Sequence, residues 1–212
     1  TIENVGVARV VAAGTMFDSN TLTIGFARRF TGYKRPELIF LDSDRLAKIL
    51  TMPGRPVQIV FAGKAHPADE PGQELIRTLA HMSRQEEFAG RILFLEGYDT
   101  HIARRLVSGV DVWLNNPVYP LEASGTSGMK AGMNGVINLS ILDGWWDEGY
   151  DGENGWAIKP ASPQLDPHRR DREEARTLYE LLQDQVAPLY YQRGEMGYSP
   201  GWVKMAKHSI AS

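Results

Sequence analysis

Short apolar runs alternate along the chain with segments whose apolar residues recur at helical spacing. The runs are rich in branched and aromatic residues, which predicts strands. The predicted strands cover residues 21–26, 57–62, 91–96, 111–114 and 136–139. The predicted helices cover residues 36–50, 73–87, 100–108, 129–135 and 169–191. Strand and helix therefore alternate at least three times.

This alternation predicts an α/β fold in which a parallel sheet carries helices on both faces. Residues 57–62 are almost continuously apolar, as expected for a strand that is buried on both faces. Ligands of such sheets bind beyond the carboxyl ends of the strands. We therefore expect the functional groups in the loops that follow the predicted strands.

Composition narrows the classes of function. The 212 residues are 42% hydrophobic and 23% charged, which is ordinary for a globular protein with a sizeable core. A formal net charge of -3 argues against nucleic acid as the main partner. The chain has no cysteine, which excludes disulfides and thiolate catalysis and suits a cytoplasmic protein. We find no signal peptide and no apolar run long enough to span a bilayer, so we expect no membrane partner.

Residues 122–135, which read EASGTSGMKAGMNG, form the segment that packing explains least. Gly125 and Gly128 allow a tight turn and a close approach of the backbone to a ligand. The neighbouring hydroxyls and N–H groups suit an anion. They belong to Ser124, Thr126 and Ser127.

A helix that begins near Thr126 would point its unpaired N–H groups and its positive dipole end at a phosphate. Lys130 would then lie about one turn further into the helix. A phosphate and an amine would share one site. The alternative is a glycine-rich loop before an ordinary helix with a solvent-facing lysine.

A second basic group follows the first predicted strand and comprises Arg28, Arg29, Lys34 and Arg35. Arginine offers a planar fork for phosphate oxygens, and lysine offers a compact charge. The alternative is a solvated loop, which is the usual place for a run of charges. Because both loops follow strands of one sheet, we expect them to meet at its carboxyl edge.

Two further segments leave alternatives open. His66, next to Lys64, could act as an acid or base, although a lone histidine is more often structural. One histidine beside Asp69 and Glu70 has no recognised ligand spacing, so we expect no metal site. Residues 143–156 combine three tryptophans with acidic residues, which is typical either of sugar binding or of a packed loop.

Three strings of the sequence resemble the α-glucan phosphorylases, the glycogen and maltodextrin phosphorylase family. They are GFARR at residues 25–29 with YKR at 33–35, FLEGY at 94–98, and residues 122–130. The resemblance spans residues 21–159 and is nearest to the short bacterial and archaeal type. It implies the GT-B glycosyltransferase fold, in which two Rossmann-like domains face each other across a cleft, with this chain as the carboxyl-terminal half.

The resemblance also implies a cofactor, pyridoxal 5'-phosphate, held covalently as a Schiff base on Lys130. Thr126 and Ser127 match positions that face the cofactor phosphate, and Arg28 matches the basic residue paired with it. In that family the cofactor phosphate exchanges a proton with the substrate phosphate, which protonates the glycosidic oxygen.

The implied activity is the reversible phosphorolysis of α-1,4-glucan by orthophosphate to glucose 1-phosphate, with retention of configuration. Arg29 and Lys34 match residues that bind substrate phosphate, and with Lys130 they are the implied catalytic residues. The implied contacts to the glucosyl unit are Glu122, Ser124 and Gly125.

The expected organisation has three parts. Residues 1–20, including an apolar stretch at 5–13, form an amino-terminal edge segment; residues 21–168 form the cofactor-binding domain; and residues 169–212 form a helical segment that packs on it. The family also has an amino-terminal domain, which we expect activity to require, and its large members form homo-oligomers.

Two other functions remain open from the sequence. One is a nucleotide-sugar glucosyltransferase of the glycogen synthase type, which shares the two-domain fold. The other is a non-catalytic module that binds glucan or cofactor and acts through a protein partner. The amine inside the turn separates a phosphorylase from a nucleotide-sugar glucosyltransferase, because only a phosphorylase requires Lys130 to form an imine.

Overall fold

The computed structural model describes residues 18–212. Within them, six strands form one sheet in the spatial order β3-β2-β1-β4-β5-β6, and every neighbouring pair is parallel. The strands are β1 (Leu22–Arg29), β2 (Val57–Lys64), β3 (Ile92–Leu95), β4 (Val112–Asn115), β5 (Ile137–Ile141) and β6 (Gly155–Ile158). The predicted α/β fold with a Rossmann-like parallel sheet is confirmed.

Helices connect the strands and close the carboxyl end of the chain. They are α1 (Ser43–Leu50), α2 (Glu70–Met82), α3 (Thr100–Gly109), α4 (Thr126–Met133), α5 (Trp145–Gly149), α6 (Pro167–Leu181), α7 (Ala187–Tyr191) and α8 (Pro200–Ala211). Short 3-10 helices cover Gly32–Lys34, Pro36–Phe40 and Glu86–Phe88, and a π-helix covers Leu182–Val186. Across the described residues, no helix combines the length and apolar character needed to cross a membrane.

The sheet is buried on both faces, because alternate side chains of each strand point to opposite sides. On β1, Leu22, Ile24 and Phe26 pack into a larger core, whereas Ala27 packs into a smaller one. Residues of α1 and α6 cover the larger core, and residues of α3 and α4 cover the smaller one. This two-sided burial accounts for the nearly continuous apolar runs in the strands.

The strand order reverses between β1 and β4. The chain runs from β1 outward through β2 to β3, and then returns to the other side of β1 as β4. The connections on the two sides of this switch point cover opposite faces of the sheet, which leaves a crevice at the carboxyl ends of the two strands. A ligand site is therefore expected beside Arg29 and Asn115.

The predicted helix over residues 36–50 is wrong in its continuity. A 3-10 helix at Pro36–Phe40 comes first, and α1 begins separately after Asp42. The Asp42 carboxylate accepts a hydrogen bond of 2.9 Å from the Arg45 N–H and so caps α1. This capping side chain starts a new helix inside a segment whose apolar spacing alone suggested one.

The long predicted helix over residues 169–191 is present and contains one π-helical stretch. It begins earlier, at Pro167, where Asp166 caps it, and it passes through the π-helix before α7. Pro188 lies in the first turn of α7 and has no N–H to donate to the preceding turn. The π-helix, which is wound more widely than an α-helix, ends at Val186, two residues before this proline.

The carboxyl-terminal helices pack on the rest of the molecule. Leu178 of α6 is fully buried in the larger core, and the Tyr179 hydroxyl donates a hydrogen bond of 2.8 Å to the Ile39 carbonyl. From α8, the Ser209 hydroxyl donates one of 3.2 Å to the Val136 carbonyl. The apolar stretch predicted at residues 5–13, and the predicted edge segment as far as residue 17, lie outside the described residues.

Candidate functional site

The two loops that the sequence singled out meet at the switch point. β1 ends at Arg29, and β4 ends at Asn115 before the chain turns into α4. The two strands pair in parallel, with Gly25 opposite Trp113, so their carboxyl ends lie at the same edge of the sheet. The basic loop after β1 and the glycine-rich turn after β4 are therefore neighbours, as predicted.

The glycine-rich turn leads directly into α4. Gly125 precedes the helix with a φ of 85°, a left-handed conformation that favours glycine. The helix begins at Thr126, so the condition under which its first turn would face a phosphate is met, although the helix was predicted only from residue 129. The N–H groups of Thr126 and Ser127 have no partner within the helix, because the first turn of any α-helix leaves its donors unpaired.

Residues after β5 hold the turn in place. The Asp143 carboxylate accepts a hydrogen bond of 2.9 Å from the Glu122 N–H, and the Ser124 carbonyl accepts one of 2.9 Å from the Trp145 N–H. Gly144 is required here, since its φ is 57° and a Cβ on it would lie 2.7 Å from the Ser124 carbonyl oxygen. The turn is thus fastened to the neighbouring strand.

The tryptophan-rich segment after β5 packs behind the turn. Trp146 and Trp156 are buried, at 1% and 4% exposed. The indole nitrogen of Trp145 lies 3.0 Å from where a Cβ of Gly128 would stand. Of the two interpretations of residues 143–156, the structure favours packing over a sugar-binding surface, but the segment contains α5 and the start of β6 and is therefore not a loop.

A buried cluster of three charges lies beside the turn. The Glu122 carboxylate accepts hydrogen bonds from Arg28 Nη2 at 2.8 Å and from Lys34 Nζ at 2.8 and 2.6 Å. The side chains of Arg28, Glu122 and Lys34 are only 8%, 6% and 10% exposed. One carboxylate compensates for the burial of two cations, so the cluster keeps one positive charge.

Arg28 has two further hydrogen-bond donors besides the one that binds Glu122. Its Nε and Nη1 atoms are buried and have no hydrogen-bond partner among residues 18–212. Burial lowers the pKa of Arg28, and the adjacent Glu122 carboxylate opposes that shift. Buried donors on a cation are normally satisfied by an anion or another acceptor. The two unpartnered donors of this guanidinium therefore indicate an anion site.

These groups surround a cavity of about 570 Å³, which we call the turn cavity. All nine site residues implied by the family resemblance line it. They are Arg28, Arg29, Lys34, Glu122, Ser124, Gly125, Thr126, Ser127 and Lys130. The fold thus brings residues from two distant parts of the sequence around one space.

A second space of about 660 Å³, which we call the side cavity, adjoins the turn cavity. Residues common to both linings are Arg29, Tyr98 and Lys130. Lys130 is exposed and stands between the two spaces. Lys64 and His66 also line the side cavity, which places the third group of candidates next to the site.

Arg35 is the one member of the basic group that does not line the turn cavity. It forms ion pairs with Asp171 and Glu174 of α6 and donates hydrogen bonds to the carbonyls of Asn116 and Pro117. Its φ of 43° places it in the left-handed region between two 3-10 helices. Arg35 therefore anchors this loop to α6 and to the chain after β4.

His66 shows no arrangement that singles it out as an acid or base. It is exposed, and its Nδ1 accepts a hydrogen bond of 3.1 Å from the Ala68 N–H, which stabilises the local turn. Within residues 18–212, no group of three His, Cys, Asp or Glu side chains is arranged to hold a metal ion.

Sequence reasoning did not assign a role to Tyr98, which lines both cavities. Burial raises the pKa of its phenol, and the nearby Arg28 opposes that shift. A signal was present, because Tyr98 closely follows β3 and the loops after parallel strands gather at one edge. Tyr33 was also unassigned, and its ring lies 4.5 Å from the ammonium of Lys34.

Comparisons with known proteins agree on one family. A model of the carbohydrate phosphorylase family matches residues 7–146. A glycogen phosphorylase of Aquifex aeolicus is 55% identical over 203 residues, which cover 96% of this chain and 29% of that protein. A glycogen phosphorylase of Mycobacterium tuberculosis is 52% identical over 196 residues, covering 92% and 23%. A maltodextrin phosphorylase of Thermococcus litoralis is 52% identical over 195 residues, with the same coverage. The chain thus spans less than a third of the length of these relatives.

Proposed function

This chain belongs to the carbohydrate phosphorylase family, and from that membership we propose that it is the cofactor-bearing domain of an α-glucan phosphorylase. The reaction is the reversible transfer of a glucosyl unit between α-1,4-glucan and orthophosphate, which yields glucose 1-phosphate with retention. Relatives named glycogen and maltodextrin phosphorylase, at 52–55% identity, support this function. Because the chain covers only 23–29% of those relatives, the activity belongs to an enzyme that also has an amino-terminal domain.

The observation that carries the proposal is the combination of groups in the turn cavity. Two buried donors of Arg28 have no partner among the described residues, the first turn of α4 offers N–H groups, and the Lys130 amine lies at the rim. A ligand that fits this set carries a phosphate and a carbonyl that condenses with an amine. Pyridoxal 5'-phosphate has both.

Each group then has a distinct task. Lys130 carries the cofactor, while Arg28 and the N–H groups of Thr126 and Ser127 hold its phosphate. When bound, the cofactor supplies a phosphate that exchanges a proton with the substrate phosphate. Arg29 binds the substrate phosphate, and Lys34 contributes positive charge from the cavity wall.

The glucosyl unit is assigned to Glu122, Ser124 and Gly125, which line the same turn cavity. Glu122 accepts hydrogen bonds from both cations, yet a carboxylate has about four lone-pair sites, so it retains capacity for a sugar hydroxyl. Ser124 offers a hydroxyl, and Gly125 has no side chain in the way of a sugar ring. The buried ion pairs keep the carboxylate in one position, which favours a defined orientation of the sugar.

The test is chemical trapping of the cofactor in the full-length enzyme. We expect the protein with added pyridoxal phosphate to show a pyridoxal absorbance band, and borohydride reduction followed by peptide mapping to locate the adduct on Lys130. Lys130→Ala should lose the adduct. The matched control is Lys159→Ala, which removes an exposed lysine that lines neither cavity.

Two outcomes would count against the proposal. A stoichiometric adduct on Lys130→Ala would refute the role of Lys130. A folded wild-type protein that forms no adduct at saturating cofactor, yet binds a nucleotide sugar, would favour a nucleotide-sugar glucosyltransferase. Turnover of glucan with orthophosphate separates an enzyme from a non-catalytic binding module.

A further inference from the structure

The side cavity contains a pair of cations contributed by neighbouring strands. Arg29 at the end of β1 is the register partner of Lys64 at the end of β2. Partners on parallel strands project their side chains from the same face of the sheet, because side-chain direction alternates along each strand in step. Both residues line the side cavity. Two cations on adjacent strands thus lie next to one opening.

Lys64 has a fixed backbone and an uncommitted side chain. Its carbonyl accepts a hydrogen bond of 2.9 Å from the Phe30 N–H, which ties the ends of the two strands together. The side chain is exposed, and within the part of the chain that the structure describes no carboxylate lies within ion-pair distance of its ammonium. Lys64 can therefore bind an anion without first breaking an ion pair.

The charge of the side cavity remains positive when its acidic member is included. Asp99 lines the same space, and its carboxylate accepts a hydrogen bond of 2.9 Å from the Ile102 N–H as the cap of α3. Arg29 and Lys64 bring two positive charges, which one capped carboxylate does not neutralise. Lys130 is left out of this count, because it carries the cofactor in the proposed function.

Lys34, by contrast, is largely committed. A lysine ammonium has three donors, and its contacts at 2.8 and 2.6 Å are to the two oxygens of Glu122. Its side chain is only 10% exposed, and the ammonium lies 4.5 Å from the centre of the Tyr33 ring. A phosphate bound by Arg29 finds a more available second cation in Lys64 than in Lys34.

We propose that Arg29 and Lys64 form a clamp for the phosphate dianion of the reaction. The ligand is orthophosphate in one direction and the phosphate group of glucose 1-phosphate in the other, and this assignment rests on the proposed function. The planar guanidinium of Arg29 binds two phosphate oxygens, and the ammonium of Lys64 binds a third. Lys64 is thereby a further substrate-binding residue.

The test compares Lys64→Gln, Lys64→Arg and Lys48→Gln in the full-length enzyme. Lys48 is an exposed lysine of α1 that lines neither cavity, so its variant controls for the loss of one surface charge. Calorimetric titration gives Kd for orthophosphate and for glucose 1-phosphate, and steady-state kinetics gives KM for orthophosphate and for glucan. We expect Lys64→Gln to raise both phosphate Kd values and the phosphate KM by about ten-fold, as for the loss of one charge-assisted hydrogen bond. Lys64→Arg should retain most of the affinity, and the glucan KM should not change.

The outcomes separate this proposal from the proposed function. An orthophosphate Kd of Lys64→Gln equal to that of the wild type overturns the clamp, even where the wild type turns over glucan. A loss confined to glucose 1-phosphate also overturns it, because the contact would then be to the sugar. A wild type that binds orthophosphate through Lys64 but shows no phosphorolysis supports the clamp and refutes the proposed function.

Discussion

At the scale of single residues, the turn cavity depends on Glu122. Its carboxylate is the partner of both Arg28 and Lys34, and all three side chains are at least nine-tenths buried. Removing one partner of a buried ion pair leaves an uncompensated charge in a poorly solvated place. The energetic importance of Glu122 is therefore larger than that of a surface carboxylate with the same number of contacts.

We expect Glu122→Gln to lower the free energy of unfolding by about 3–5 kcal/mol, since two buried cations lose their counterion. Denaturant unfolding measures this loss. Added orthophosphate should restore more stability to the variant than to the wild type, because an anion then replaces the missing carboxylate. Glu180→Gln is the control, because its pair with Arg176 is largely exposed. Equal stability of Glu122→Gln and the wild type would show that the ion pairs contribute little.

Asp111 predicts a dependence of stability on pH. It lies at the start of β4, far from the cavities, where its carboxylate accepts a hydrogen bond of 2.8 Å from the Thr23 N–H. Burial raises the pKa of Asp111 to about 6. Because the folded pKa lies above the unfolded one, the stability that Asp111 contributes is fully present below about pH 4 and is lost as the pH rises through 6.

We therefore expect Asp111→Asn to be more stable than the wild type above pH 6, by about 1–3 kcal/mol. Asparagine keeps an oxygen acceptor for the Thr23 N–H but carries no charge. Urea unfolding at several pH values between 4 and 8 measures the difference between the two proteins, which removes the contribution of every group they share. A difference that does not change with pH would contradict the raised pKa of Asp111.

At the scale of secondary-structure elements, the position of α4 is set by glycine. A Cβ on Gly128 would lie 2.8 Å from Asn138 Oδ1 and 3.0 Å from the Trp145 indole nitrogen, so only glycine lets the helix approach β5 this closely. Asn138 Nδ2 also donates a hydrogen bond of 3.1 Å to the Gly128 carbonyl. Close packing here fixes where Lys130 stands on the same helix.

We expect Gly128→Ala to destabilise the protein by about 1–3 kcal/mol, because the added methyl group overpacks this contact. Cofactor retention should fall as well, since α4 carries Lys130. Thermal unfolding and the pyridoxal absorbance of the purified enzyme measure the two effects. Gly109→Ala is the matched control, because a Cβ on that helical glycine meets no atom within 4 Å. Unchanged stability and unchanged cofactor retention in Gly128→Ala would contradict this prediction, because α4 would then accommodate the methyl group without affecting either property.

Apolar periodicity predicted five of the six strands in the described residues, missed β6 and α5, and placed several element ends wrongly. The predicted strand over residues 57–62 corresponds to β2, because burial on both faces leaves an unmistakable apolar run. The predicted helix over residues 129–135 begins earlier in the structure, at Thr126, since the first turn of α4 contains polar residues that periodicity does not detect. Caps decide such boundaries locally, and the cap at Asp42 also divided the predicted helix over residues 36–50.

At the scale of the whole molecule, the sequence predicted which residues gather but not how they pair. Arg28 and Glu122 are 94 positions apart, and Lys34 and Glu122 are 88 apart. Their ion pairs exist only because β1 and β4 are neighbours at the switch point. Arg35, which follows Lys34 directly in sequence, pairs with α6 instead and does not line the turn cavity. Pairing across a sheet requires the strand order, which local patterns do not contain.

The surface just before the glycine-rich turn exposes large apolar side chains. Tyr119 and Leu121, just before the glycine-rich turn, are 44% and 55% exposed, and large apolar side chains beside a site are typical of surfaces that another domain covers. We expect the 212-residue chain alone to fold, because its sheet has a core on each face, and to bind pyridoxal phosphate on Lys130. We expect it to show no phosphorolysis. An enzyme that also contains an amino-terminal portion, as the longer relatives do, should turn over glucan. Parallel assays of both proteins for glucose 1-phosphate release check this. Equal turnover by the chain alone would mean that its two cavities suffice to orient glucan and phosphate, which would contradict the need for a second domain.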